Sequence, residues 1–172
     1  AQGRCFVLFT SYRMMHLVAE GLTTQIDYPV YMQGQMSKRI ILEKFTRHGN
    51  AVLLGTASFW EGVDVRGSTL SCVIIDKLPF AAPDDPLLQA KMQDCQMQGK
   101  DPFAHIQLPQ AVIALKQGVG RLIRDSKDKG VLVICDNRLV TRQYGQVFLK
   151  SLPAMRRTRS LEVANTFLQQ IN

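Results

Sequence analysis

Several familiar signatures are missing from this chain. It has no glycine-rich loop ending in Gly-Lys-Ser or Gly-Lys-Thr, so the backbone cradle that grips nucleotide phosphates is not encoded here. It has no Cys-x-x-Cys pair. Cys5, Cys72, Cys95 and Cys135 stand 67, 23 and 40 residues apart, which argues against a zinc ribbon or a local iron–sulfur run. His16, His48 and His105 are equally scattered, so no metal site is expected. No apolar run reaches the ~18 residues that span a bilayer, and no charged-then-apolar signal segment opens the chain. No membrane partner is expected, and unpaired cysteines suit a reduced, cytoplasmic chain. The chain opens on Ala1 rather than Met, as an excised piece or a processed protein would. Internal repeats and low-complexity stretches are also lacking. Acidic residues are in deficit, with 14 Asp and Glu against 21 Lys and Arg. The resulting charge of +7 favours a polyanionic partner such as nucleic acid.

What is present suits one soluble globular domain of 172 residues, 46% of them hydrophobic. Five short apolar runs read as strands, over residues 4–9, 29–32, 51–55, 71–76 and 130–135. Several are nearly unbroken Val, Leu and Ile, the mark of strands buried on both faces of a parallel sheet. Cys5, Cys72 and Cys135 fall inside these runs, where a free thiol behaves as a small hydrophobe. Helical patterns alternate with the strands. One covers 12–22 after Ser11, and one covers 38–47 after Ser37 with Ile41, Leu42 and Phe45 on its stripe. Others cover 87–98, 109–124 opened by Pro109, and 142–149. This alternation predicts an α/β fold, doubly wound, with a mainly parallel sheet flanked by helices. In such sheets ligands bind at the carboxyl ends of the strands. Residues 77–108, with four prolines, read as an excursion over the surface. The expected division is a body over 1–150 and a basic, amphipathic tail over 151–172.

Three runs carry chemistry. In Gln117-Gly118-Val119-Gly120-Arg121-Leu122-Ile123-Arg124, the residues Gln117, Gly120, Arg121 and Arg124 sit at offsets zero, three, four and seven. On a continuous helix they would share one face. The two guanidiniums offer planar donor forks that match phosphate oxygens. Each glycine costs roughly 1 kcal/mol inside a helix, so Gly118 and Gly120 beside them suggest close backbone approach to a ligand. The second run, Gly55-Thr56-Ala57-Ser58-Phe59-Trp60-Glu61-Gly62-Val63-Asp64, follows a buried strand and holds hydroxyls, carboxylates and the only tryptophan. Thr56 and Ser58 can donate to a nucleic-acid backbone, and Asp64 can accept from ribose hydroxyls. Taken alone, this run is also compatible with a tight turn over a buried aromatic. The third run is Phe9-Thr10-Ser11-Tyr12, where Thr10, Ser11 and Tyr12 stand at a helix start able to hold an anion. Ser11 also has the identity of a plain N-cap.

In this order on alternating β/α units, the runs resemble motifs IV, V and VI of the C-terminal motor domain of superfamily 2 helicases. With Lys77-Leu78-Pro79-Phe80, their spelling is similar to the DinG branch of the XPD-like 5′-to-3′ DNA helicases, over essentially the whole chain. The resemblance implies a RecA-like fold and a role as the second of two motor domains in an ATP-dependent helicase of DNA repair and replication. It implies that ATP and Mg²⁺ are shared with a first motor domain in cis, and that single-stranded or forked DNA crosses both domains. Arg121 and Arg124 would then reach ATP phosphates, one as the arginine finger, with Gln117 placing nucleotide or water. Gly62 and Asp64 would meet phosphate and ribose, with Gly120 beside them, and Glu61 would connect the ATP and DNA sites. Thr10, Ser11, Tyr12, Thr56 and Ser58 would follow the DNA, and Trp60 or Phe59 would support that loop or meet a base. The family's 4Fe–4S cluster, phosphate loop and Asp-Glu pair belong to the first motor domain, not to this chain. The chain alone is therefore expected to hydrolyse no ATP.

The competing expectation is a docking module. Arg156, Arg157, Thr158 and Arg159 precede a helical stripe of Leu161, Phe167, Leu168 and Ile171 that would suit a groove. The same stripe could instead pack on its own domain. Within this helicase branch the resemblance implies a replisome partner for the tail, the χ subunit of DNA polymerase III.

Overall fold

Strands β1 (Cys5–Phe9), β2 (Val30–Met32), β3 (Val52–Thr56), β4 (Cys72–Ile75) and β5 (Val131–Ile134) pair in the order β2-β3-β1-β4-β5, every pair parallel. This is a computed structural model, and it describes residues 1–56, 59, 70–123 and 128–171. Central β1 is buried throughout, with Cys5 opposite both Val52 and Cys72 and Leu8 opposite both Gly55 and Ile75. Seven α-helices occur among the described residues: α1 (Tyr12–Thr23), α2 (Lys38–His48), α3 (Pro86–Met97), α4 (Leu108–Val119), α5 (Arg138–Thr141), α6 (Gly145–Ser151) and α7 (Leu161–Ile171).

The two-residue period of the strands sorts side chains onto two faces. Phe6, Leu8, Leu53, Val73 and Ile75 meet Ile41 and Phe45 of α2, Leu115 and Val119 of α4, and Phe148 of α6. Cys5, Val7, Phe9, Val52, Leu54 and Cys72 meet Met15 and Ala19 of α1 and Leu168 of α7. The expected α/β sheet with flanking helices is therefore the observed architecture. The expected caps hold as well. Ser11 accepts from the Met14 amide at 3.3 Å, and Ser37 accepts from Ile40 at 3.5 Å. Gly49, at φ 78°, closes α2 by donating to the Phe45 carbonyl.

Three expectations are corrected. The helix expected over 109–124 stops at Val119, because Gly120 and the following turn close on Lys116, Gly118 and Val119 while Leu122 turns into the core at 4% exposure. The helix expected over 142–149 starts later and runs further, as α6, with α5 a separate short helix before it; Gly145 begins α6 beneath the Leu139 carbonyl, where a Cβ would not fit. Cys135 lies just past β5 and is exposed, unlike buried Cys5, Cys72 and Cys95. A π-helical turn, Phe103–Gln107, which sequence patterning did not anticipate, leads into α4.

The excursion over 77–108 is pinned to the sheet by one carboxylate. Asp136, 8% exposed, accepts from the Leu78 amide at 2.9 Å and from Arg138 Nε and Nη2 at 3.0 and 2.6 Å. Arg138 also lies 5.5 Å above the Phe80 ring, which in turn meets Phe103, Tyr144 and Phe148 at 5.7 Å. Burial pushes the Asp136 carboxyl up, but Arg138 and the Leu78 and Arg138 amides together hold it below its usual value. A carboxylate depressed in the folded state adds stability above its unfolded pKa and loses it as pH falls through the folded one. Asp136→Asn is accordingly expected to destabilise the protein by roughly 2–3 kcal/mol at neutral pH. Thermal unfolding of both proteins should show the gap closing below about pH 4; a gap constant across that range would exclude this account.

Candidate functional site

Because the strands are parallel, their carboxyl ends share one edge, and the polar side chains there bond to one another. Thr10, just past β1, donates its amide to Asp76 Oδ1 at 3.0 Å, and its hydroxyl lies 3.5 Å from Oδ2. Asp76 follows β4 and also accepts from the Lys77 amide at 2.7 Å. Burial raises the Asp76 carboxyl above its usual value, with the Lys77 and Thr10 donors pulling against that shift without cancelling it. Gln33, just past β2, accepts from the Thr56 amide at 2.7 Å and from its hydroxyl at 3.0 Å. Its Nε2 donates to the Tyr12 hydroxyl at 2.7 Å. Thr10, Ser11 and Tyr12 are exposed at the start of α1, whereas Thr56 is buried with its donors turned to Gln33.

The run leaving β3 is anchored by an aromatic. Phe59 is 3% exposed and belongs to the core under α2, with Lys38 Nζ 5.3 Å from its ring centroid. A Cβ on Gly55 would stand 2.8 Å from Phe59 Cβ, so Gly55 is where this anchor and the strand touch. Phe59 is therefore packed beneath the run. Ser58, Trp60, Glu61, Gly62 and Asp64 lie outside the described residues, as does Arg124.

The arginine segment sits at the opposite edge. A parallel crossover must return to the start of the next strand, so α4 ends near the amino end of β5. There Leu122 packs on Gly130, with its Cγ 2.8 Å from where a Cβ would stand. Gln117 is exposed on the last turn of α4, Gly120 is the exposed C-cap, and Arg121 follows in the turn, half-buried. Gln117 thus lies on α4 itself, whereas Arg121 lies in the turn beyond its cap. Their segment also departs from the carboxyl-end placement expected of a ligand in this fold.

The helicase C-terminal domain family matches residues 1–155. The chain belongs to that family. It is 61% identical over 166 residues to the ATP-dependent DNA helicase YoaA of Escherichia coli, covering 96% of this chain and 26% of that protein. It is 37% identical over 171 residues to the ATP-dependent helicase DinG of Mycobacterium tuberculosis, covering 99% of this chain and 26% of that protein. Among solved structures, apo XPD superposes with a TM-score of 0.67 at 25% identity, over 91% of this chain and 33% of that one. The resemblance to the DinG and XPD branch and the RecA-like expectation agree with these findings. The chain spans about a quarter of the length of the curated relatives it matches.

At the end of α4 the chain holds an exposed Gln117 amide and the exposed Gly120 cap, with Arg121 following half-buried. Its cysteines do not fit an iron–sulfur cluster. Cys5 and Cys72 are buried register partners inside the sheet, Cys95 is buried on α3, and Cys135 is exposed. Among the described residues, no group of three or more His, Cys, Asp or Glu could hold a metal, and no helix is long and apolar enough to cross a membrane.

Sequence reasoning missed Gln33 and Asp76. A polar residue directly after each apolar run was the signal available. Gly55→Ala is expected to destabilise by about 1–3 kcal/mol through overpacking against Phe59. Calorimetry reads this as a lowered Tm, and an unchanged Tm would show that the contact can relax.

Proposed function

We propose that this chain is the second motor domain of an ATP-dependent 5′-to-3′ DNA helicase acting in DNA repair and replication. The observation that supports this best is the division of its polar groups between two edges. Hydroxyls and amides gather at the carboxyl edge with Thr10, Ser11 and Tyr12, and Arg121 stands at the amino edge. The chain leaves the first edge at Thr56 and re-enters the sheet at Leu70 and Ser71, beside the second. The run between them holds Ser58, Trp60, Glu61, Gly62 and Asp64.

In this reading the carboxyl edge follows a single strand of DNA, with Thr10, Ser11 and Tyr12 exposed to it and Thr56 acting from behind. The amino edge faces a first motor domain in cis. ATP with Mg²⁺ supplies a transferable γ-phosphoryl group whose developing charge needs neutralising. Arg121 and Arg124 bring the guanidiniums for that purpose, one as the arginine finger. Gln117 orients the nucleotide or the attacking water, and Gly120 removes a side chain from its path. Gly62 and Asp64 hold phosphate and ribose, and Glu61 and Trp60 stand in the same run between β3 and β4. A 4Fe–4S cluster, where the whole protein has one, is held outside this chain.

In the full-length protein, Arg121→Ala is expected to lower DNA-stimulated ATP turnover by roughly 10³-fold or more, with nucleotide binding largely kept. Arg121→Lys, which keeps charge but loses the fork, should recover little. The chain by itself should turn over no ATP. Wild-type turnover in Arg121→Ala would sink the assignment.

A second reading rests on the tail. Helix α7 turns Leu168 into the core beside β5, while Leu161 and Phe167 remain 78% and 38% exposed. Arg156, Thr158 and Arg159 are exposed, and Arg157 donates to the Leu149 carbonyl at 2.9 Å. Together with Ile171 at its end, this helix gives the χ subunit of DNA polymerase III an apolar ridge behind a basic run. Aspartate at both Leu161 and Phe167 should weaken χ binding at least tenfold in calorimetric titration, with Tm nearly unchanged. Undiminished binding would remove the tail as the docking segment.

A further inference from the structure

The amide of Gln33 has a fixed direction, and that direction decides what the exposed edge can offer. The Thr56 backbone N–H can only donate, so the Gln33 atom 2.7 Å from it must be the oxygen. The Thr56 hydroxyl donates to the same Oε1 at 3.0 Å, which turns its proton inward as well. With Oε1 committed to Thr56, Nε2 faces the Tyr12 oxygen at 2.7 Å and donates to it. That oxygen is therefore an acceptor towards Gln33, and its one proton points away. Tyr12 is 53% exposed, so the proton points outward at the sheet edge. Backbone geometry holds the relay at its inner end, because Gln33 itself follows β2 directly and donates its own amide to the Leu54 carbonyl at 2.9 Å.

We propose that Gln33 is a positioning residue that sets the polarity of the Thr56–Gln33–Tyr12 relay, so that Tyr12 presents its hydroxyl proton to a phosphate oxygen of single-stranded DNA. This rests on the DNA-tracking role proposed above for the carboxyl edge. The net charge of +7 makes an anionic acceptor the natural occupant. A phosphate of DNA and a phosphate of the nucleotide offer the same oxygen. The relay lies at the edge opposite Arg121, which favours DNA.

The discriminating change is Gln33→Glu in the full-length protein. A carboxylate still accepts from Thr56 but cannot donate to Tyr12, so the phenol must donate inward. The added negative charge also weakens DNA binding, and a double-mutant cycle with Tyr12→Phe separates the two effects. Affinity for an oligothymidylate single strand is measured by fluorescence anisotropy for all four proteins, alongside the KM for ATP. Tyr12→Phe is expected to weaken binding about fivefold when Gln33 is unaltered and by less than about twofold in the Gln33→Glu background, with KM for ATP unmoved. An equal cost in both backgrounds overturns the proposal. A raised KM for ATP with DNA affinity unchanged overturns it too, by assigning the proton to the nucleotide. Should Gln33→Glu fail a thermal-unfolding check, Gln33→Met, which leaves the phenol proton free to turn, takes its place in the cycle; the cost of Tyr12→Phe should then fall below about fivefold, and an undiminished cost overturns the proposal. If the unaltered protein binds no single strand, the DNA-tracking reading fails and this proposal with it. If it binds and the cycle is additive, only this proposal fails.

Discussion

Parallel pairing of β1 with β3 on one side and β4 on the other is the constraint on which the remaining arrangement depends. All five residues of β1 are buried, and its register is set on both flanks. Since no strand reverses, every connection has to cross back to the amino edge before the next strand can start. The two edges therefore collect different kinds of chain. The carboxyl edge collects residues that have just left a strand: Thr10, Gln33, Asp76 and Asp136. The amino edge collects residues about to enter one, stitched where Ser71 donates to the Arg4 carbonyl and Val131 donates to that of Ser71.

This polarity separates the two kinds of chemistry proposed for the chain. The track proposed for single-stranded DNA rests on Thr10, Ser11 and Tyr12, exposed above hydrogen bonds between strand ends. A phosphate-facing guanidinium needs a rigid approach from the end of a crossover, and α4 ends beside β5. Coupling the two edges requires something that spans the sheet. The segment between Thr56 and Leu70 does so by chain connectivity alone, whatever its conformation.

The sheet was legible in the sequence because fully buried strands leave an unambiguous mark. The unbroken apolar runs around Val7, Leu53, Val73 and Val133 each became a strand, with ends displaced by at most one residue. Ser11 and Ser37 were legible as caps because a hydroxyl before a helical stripe has few other uses. The end of α4 was misjudged because periodicity continues through Arg121 and Arg124, whereas the backbone obeys the glycines and the burial of Leu122. Gln33 was invisible for a different reason. A glutamine after a strand looks like solvent-facing polarity, and only the spatial meeting of β2, β3 and α1 gives it partners. The tail stripe was half legible, since spacing names an apolar face but cannot say which of its members, Leu168 or Phe167, turns inward.

Each of the two functional runs is held by one buried hydrophobe rather than by regular structure. Phe59 fastens the run after β3 and Leu122 fastens the run after α4, at 3% and 4% exposure. Both enter the same core cluster, together with Ile41 and Phe45 of α2 and Leu115 of α4. Arg121 is thus placed by the packing of its neighbour against Gly130, which fixes a side chain more firmly than a fraying helix end does. A core that is close-packed transmits displacement rather than absorbing it. The same hydrophobic face that folds the domain therefore holds one residue of each run, Phe59 and Leu122, in a single cluster.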